Sequence, residues 1–340
     1  MRDLLVAGGG PVGLAVAMYA VRAGLDVAVV EPRGGVIDKA CGEGLMPGAV
    51  AALTALGVPL HGHPITGIRY VGGARQAEAT FRHGPGRGVR RTTLHRAISA
   101  AALAAGVTTE RRAVCQVEDR GDHLLVDGEP TRHLVAADGL HSPVRRMLGL
   151  DAPVAGRRRY GQRCHVSVPP WTSLVEVHWA GSGEAYVTPV GEDRVGIAVL
   201  SHERRGLADL IGDFPALAAR LTGQTIEQVR GAGPLRQRAR RPAAGRVLLV
   251  GDASGYVDAL TGEGIALGLA QARAAVHAVL VGRPQAYELA WRRLGWRHAL
   301  LTQGLLIATR HRAIRRNLVP AAARMPGVFG VAVNQLARPA

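Results

Sequence analysis

Four clusters of residues in this chain have types and spacings suited to chemistry. Gly8, Gly10 and Gly13 repeat as Gly-x-Gly-x-x-Gly with Pro11 and Val12 inside the turn, and Glu31 follows about twenty residues later. Glycine there permits a tight turn, close approach of a pyrophosphate, and close seating of a helix on a strand. The phosphates would rest on free N–H groups at a helix N-terminus, and the acid would accept hydrogen bonds from a ribose. Asp138-Gly139 and Gly251-Asp252 each close an apolar run, and Gly262-Glu263-Gly264-Ile265 follows the second pair. Cys41 lies in Lys39-Ala40-Cys41-Gly42-Glu43-Gly44-Leu45, where a thiol can give up a proton or simply wall a pocket.

Strand ends must hold these residues. Residues 4–7 read as a buried strand, 14–23 as a helix and 27–30 as a second strand ending on Glu31. Residues 4–21 carry no charge, but three adjacent glycines, a proline and the lack of a basic start set this stretch apart from a secretory or membrane segment. A helix is expected over 47–56, a hairpin over 65–70 and 77–81, and a helix from the 90–96 segment to 105 with Thr92 or Thr93 as N-cap. Strands follow at 113–117, 124–126 and 133–137. The 160–200 segment alternates as an antiparallel sheet. Short helices at 207–210 and 215–221 lead to a strand at 246–250 and a helix over 262–280.

On these elements, Gly8-x-Gly10-x-x-Gly13 with Glu31, Ala137-Asp138-Gly139-x-x-Ser142-x-Val144-Arg145, and Gly251-Asp252-Ala253 with Thr261-Gly262-Glu263-Gly264-Ile265 form an ordered set. They resemble the three fingerprints of the FAD-dependent family that includes aromatic hydroxylases (group A flavoprotein monooxygenases) and geranylgeranyl reductases. The resemblance implies an α/β fold in which a Rossmann-like FAD-binding domain is interleaved with an antiparallel-sheet substrate domain, plus C-terminal helices. The FAD-binding domain is expected at 1–64, 90–155 and 235–285, the substrate domain at 65–89 and 156–234, and the helical segment at 286–340. The resemblance also assigns Asp252 to the ribityl chain of FAD, Glu31 to its ribose and Asp138 to FAD and nicotinamide-nucleotide access. Gly262, Glu263, Gly264 and Ile265 would start a helix whose dipole faces the pyrimidine edge of the flavin. Arg91 stands where the family has a polar or basic residue near the diphosphate or ribityl, a solvated arginine being the competing reading.

The Cys41 loop is similar to the Cys-Gly-x-Gly loop of geranylgeranyl reductases, whereas their aromatic strand motif is reduced here to Tyr186 and Pro189. Cys41 is the candidate proton donor, and Tyr186 and Thr188 are candidate substrate-pocket residues. The resemblance leaves open three functions. The favoured expectation is an NAD(P)H-driven monooxygenase that hydroxylates a small aromatic or polyketide-like substrate through a flavin C4a-hydroperoxide. The alternatives are a reductase that saturates an isoprenoid C=C bond and a flavin-binding protein without turnover.

Composition narrows the partners. The net charge of +16 rests almost wholly on arginine, Lys39 being the only lysine, and aromatics make up 4% of 340 residues. No nucleic-acid partner is expected, since stacking residues are scarce and no recognition motif accompanies the charge. Cys41, Cys115 and Cys164 are odd in number and far apart, so neither a disulfide framework nor a zinc site follows and a reducing cytoplasm is expected. The substrate is expected to be small and hydrophobic or aromatic. The basic, apolar C-terminal helices read as a face packed on their own domain, the commoner arrangement, or as a peripheral membrane contact.

Overall fold

Leu4, Leu5, Val6 and Ala7 are each at most 3% exposed, and a strand buried on both faces belongs at the centre of a covered parallel sheet. In the computed structural model, which describes residues 1–338, strand Arg2–Ala7 lies between Val27–Val30 and Glu129–Ala136, parallel to both. Thr108–Glu110 extends the parallel ladder on one side and Val247–Leu249 on the other. Helices Pro11–Arg22, Arg91–Ala104 and Gly264–Leu280 cover one face, and Val114, Leu124, Val144 and Leu150 pack on the other. Helix Pro11–Arg22 starts earlier than the sequence suggested, because proline at the first helical position needs no N–H partner.

A second, seven-stranded sheet runs Arg230–Ala232, Tyr160–Val166, Val195–Ser201, Gly183–Pro189, Leu174–Trp179, Gly67–Gly72, Arg75–Thr80. It is antiparallel except where Leu174–Trp179 pairs in parallel with Gly67–Gly72. That exception to the expected antiparallel sheet arises because the two strands are joined by a long excursion through the first sheet, which leaves their relative direction free. Alternation sends Cys164, Val166, Ala185, Val187, Ile197 and Val199 under helices Leu207–Ile211 and Pro215–Leu221. The ladder places Arg163, His165, Tyr186 and Thr188 together on the opposite face.

Two other expectations are corrected. Thr92 and Thr93 lie inside helix Arg91–Ala104, whose N-cap is Arg90 without a side-chain bond of its own. The expected strand at 113–117 is absent up to Val117, because the N–H groups of Cys115 and Gln116 both donate to Asp127 Oδ1, at 2.8 Å each, instead of to a ladder.

Helices Ala286–Arg310, Arg312–Arg324 and Pro326–Leu336 fill the expected C-terminal segment, whose last two residues lie outside the described residues. Buried Tyr287 donates to Leu249 O (2.9 Å), and Asn334 both accepts from Arg82 N and donates to Thr80 O. The helices therefore pack on both sheets. Trp296, Leu300, Ile307 and Val328 nevertheless remain exposed. Among the described residues, no helix is long and apolar enough to cross a membrane.

Arg145, 1% exposed, joins the second sequence motif to the third. It pairs with Asp151 and donates to Leu140 O (3.1 Å), Ala253 O (2.9 Å) and Gln237 Oε1 (3.3 Å). Arg145→Ala is expected to cost about 3–5 kcal/mol in denaturant unfolding, because it strands buried acceptors. A loss below about 1 kcal/mol, the value of an exposed ion pair, would contradict this role.

Candidate functional site

The first glycine turn is sterically closed at two places and open at a third. Gly8 has φ +107°, and a Cβ there would lie 2.5 Å from Ala137 O; one at Gly13 would lie 1.9 Å from Gly8 O. At Gly10 the nearest atom to such a Cβ is Arg91 Nη2, at 3.8 Å, so the backbone remains approachable. Pro11 begins the helix with no side chain capping it, which leaves N–H groups free for an anion. The Val12 side chain packs on Gly251 and Gly268, locking the first motif to the third.

Glu31, 5% exposed, accepts from Gly9 N (2.9 Å) and Arg33 N (3.0 Å) and pairs with the Arg33 guanidinium. Burial would raise its pKa, but the bonds from Arg33 and Gly9 hold it below the usual carboxylate value. Asp138 Oδ2 accepts from Val144 N (3.0 Å), while its buried Oδ1 has no partner among the described residues. Burial raises the pKa of Asp138 and also that of Asp252, the latter opposed by Lys39, Arg91 and Arg145. The Lys39 amine lies 2.8 Å from where a Gly139 Cβ would stand. Desolvation lowers its pKa and Asp252 partly restores it. Arg91 is 9% exposed, its Nε without a partner among the described residues.

Gly10, Val12, Asp138, Gly139, Asp252 and the 263–265 segment are all half-buried, as the walls of a groove should be. A glycine cradle, two uncapped helix starts, two cations and a carboxylate oxygen lacking a donor suit a diphosphate joined to a polyhydroxyl chain. The residues present thus fit FAD.

The Cys41 loop is fastened to the second sheet. Glu43 has φ +58°, uncommon outside glycine, and is 3% exposed. Its Oε1 accepts from Arg91 N (2.7 Å), supplying the cap that Thr92 and Thr93 do not, and its Oε2 bonds His165 Nε2 (2.7 Å). Arg163 binds Asp38 and Lys39 O, Arg230 binds Asp38 (3.1 Å), and Thr188 donates to Gly42 O (2.8 Å). The half-buried Cys41 accepts from Glu43 N (3.4 Å), and burial pushes its thiol pKa up, so it stays protonated at neutral pH.

Tyr186 donates to Leu260 O (2.9 Å), so the hydroxyls of both Tyr186 and Thr188 engage backbone carbonyls across the seam. Glu263 turns toward the C-terminal helices and bonds His298 Nδ1 at 2.7 Å, while Gly264 and Ile265 begin their helix. Asp38, Glu43, Arg163 and His165 were not among the expected site residues. For Arg163 and His165 the available signal was a charged and a polar side chain two positions apart on strand Tyr160–Val166.

A family model described as FAD binding domain matches residues 1–281. The menaquinone reductase of Mycolicibacterium smegmatis is 30% identical over 91% of this chain and 83% of that protein. The digeranylgeranylglycerophospholipid reductase of Thermoplasma acidophilum is 27% identical over 78% of this chain and 74% of its own length. The solved structure of p-nitrophenol 4-monooxygenase from Pseudomonas putida matches with a TM-score of 0.79 and 17% identity, over 98% of both chains. This last likeness concerns the fold alone.

Asp252→Ala is expected to weaken FAD binding about tenfold or more, as for loss of a hydrogen bond to a charged group. Flavin absorbance per mole of protein after dialysis measures this, and unchanged retention would refute the role. Glu43→Gln keeps an acceptor for Arg91 N, whereas Glu43→Ala removes it and leaves His165 and Arg163 facing a void. The Ala variant is therefore expected to unfold at lower denaturant than the Gln variant, and the reverse order would count against the clamp.

Proposed function

The chain belongs to the FAD binding domain family, and we propose that this FAD-dependent oxidoreductase saturates a carbon–carbon double bond in a lipophilic, prenyl-bearing substrate, with NAD(P)H as electron donor. The observation that carries this reading is the Cys41 loop, held by Glu43, Arg163 and Thr188 against the second sheet with its thiol protonated. The names of the two reductases similar to this chain support the same reading.

When bound, FAD supplies the two-electron carrier that delivers a hydride equivalent. The chain's own groups do the rest. Gly10, the start of helix Pro11–Arg22, Lys39 and Arg91 would hold the diphosphate, and Asp252 the ribityl hydroxyls. Met46, Ile65, Ile68, Val175, Val177 and Phe329 form a buried apolar cluster packed against the half-buried rings of Tyr70, Trp179 and Tyr186. Those half-buried rings would meet the chain of the substrate, with the cluster behind them excluding water. The Cys41 thiol would give its proton to the carbon that does not receive the hydride equivalent, and solvent would restore it. On this reading the shortened aromatic motif at Tyr186, which suggested a smaller substrate, is offset by Tyr70 and Trp179 of the same sheet face and by Phe329 of the helix packed on it.

Hydroxylation of an aromatic compound is the second reading, favoured by the reduction of the strand motif to Tyr186 and Pro189. Incubation with NADH or NADPH and a prenylated naphthoquinone, with and without oxygen, separates the two. The expected product is two hydrogens heavier and forms without oxygen, with Cys41→Ala retaining FAD but losing most of the rate. A product one oxygen heavier, formed only in air, would overturn the reductase reading.

A further inference from the structure

Helix Ala286–Arg310 carries apolar side chains on two opposite sides. Its inner side is tied down: Tyr287 donates to Leu249 O, Trp291 Nε1 donates to Ser254 Oγ (2.9 Å), His298 pairs with Glu263, and Thr302 meets Thr261. These four positions follow the helical repeat, so that side of the helix belongs to the protein's own core.

The outer side repeats the pattern half a turn away. Leu289, Trp296, Leu300 and Ile307 fall within about 20° of one line along the helix, a row about 27 Å long at the usual rise. They are 55%, 55%, 63% and 57% exposed, although burying them would be favourable. Trp171, Trp179 and Trp291 are half-buried, which leaves Trp296 as the exposed indole.

Arginines border the row. At the same repeat, exposed Arg293 and Arg297 fall on one flank and exposed Arg292 and Arg310 on the other. The Arg297 guanidinium lies 5.3 Å from the centroid of the Trp296 ring, and Arg292 pairs with Glu288. Residues 286–338 hold nine arginines and a single acid, Glu288.

Charge decides what can cover such a row. A second copy, packed parallel or antiparallel, would set one arginine rim against another, and the one acid of the segment is already paired. An anionic bilayer surface instead meets both demands at once. Its phosphates face the arginines, its acyl chains take the leucines and the isoleucine, and an indole is suited to the boundary between them. Among the described residues no helix is long and apolar enough to cross a membrane, so this one would lie along the surface.

We propose that the outer side of helix Ala286–Arg310 docks on an anionic bilayer, with Leu289, Trp296, Leu300 and Ile307 in the acyl boundary and Arg292, Arg293, Arg297 and Arg310 on the lipid phosphates. The inner side of the same helix keeps its hold on Glu263, at the start of helix Gly264–Leu280.

Cosedimentation of the full chain with vesicles tests the docking, using equal parts phosphatidylglycerol and phosphatidylcholine against phosphatidylcholine alone. Binding is expected on the mixed vesicles, about tenfold or more weaker on the neutral ones, and reduced by about 0.5 M salt. Trp296→Ser combined with Leu300→Ser is expected to weaken it about tenfold or more, and Arg292→Gln, Arg297→Gln and Arg310→Gln about fivefold per charge removed. These side chains are exposed, so denaturant unfolding of the variants is expected to match the parent. Lipid brominated in its acyl chains is expected to quench fluorescence, and Trp296→Phe to bind while losing most of that quenching. No binding to either vesicle, equal binding to both, or parent-like binding by the Trp296 and Leu300 double variant would overturn the docking surface. Self-association that depends on Trp296 and Leu300, without vesicle binding, would assign the row to a second copy instead.

Discussion

Glu43 carries a carboxylate where water does not reach it, and the seam between the two sheets is built around that charge. An isolated buried carboxylate costs several kcal/mol, so its oxygens must be met by donors. The Arg91 N–H and His165 meet them here, one from the first domain and one from the second sheet. The left-handed backbone at Glu43 adds a further cost, of order 1–3 kcal/mol, which the paired carboxylate offsets. One residue therefore caps a helix, joins two layers and fixes the loop that carries Cys41.

The cofactor groove depends on the same logic of obligatory contact. Gly8 and Gly13 cannot gain a side chain without striking backbone, and Val12 fills the space left by Gly251 and Gly268. Arg145 binds the carbonyl of Ala253 from the second motif, so the three motifs are parts of one rigid body rather than neighbours in a list of fingerprints. Free helix starts and unpartnered polar atoms along the groove are then the places where a dinucleotide would make bonds that the protein leaves unmade.

Much of this was legible in the sequence. Runs such as Val27–Val30 and Pro215–Leu221 carry their own periodicity and punctuation, and the glycine and aspartate motifs name a dinucleotide because few other arrangements tolerate them. What stayed hidden was set by long-range partners. No local pattern tells that Glu43 caps a helix beginning at Arg91, that Asp127 takes the N–H groups of Cys115 and Gln116, or that Arg159 meets Asp258. The cap expected at Thr92 or Thr93 was displaced by such a partner. The parallel pairing of Leu174–Trp179 with Gly67–Gly72 likewise depends on topology, which side-chain alternation does not encode.

The proposed reaction rests on the place where these features meet. The Cys41 loop is clamped by Thr188 to the sheet face that also carries the half-buried rings of Tyr70, Trp179 and Tyr186. A crystal structure of the FAD complex tests the clamp and the groove together. The expected result is FAD lying from the Gly8–Gly13 turn to the 262–264 segment, with Glu43 still bonded to Arg91 N and His165 and Cys41 beside the flavin ring. A flavin bound elsewhere, or a loop released with Glu43 in solvent, would contradict it.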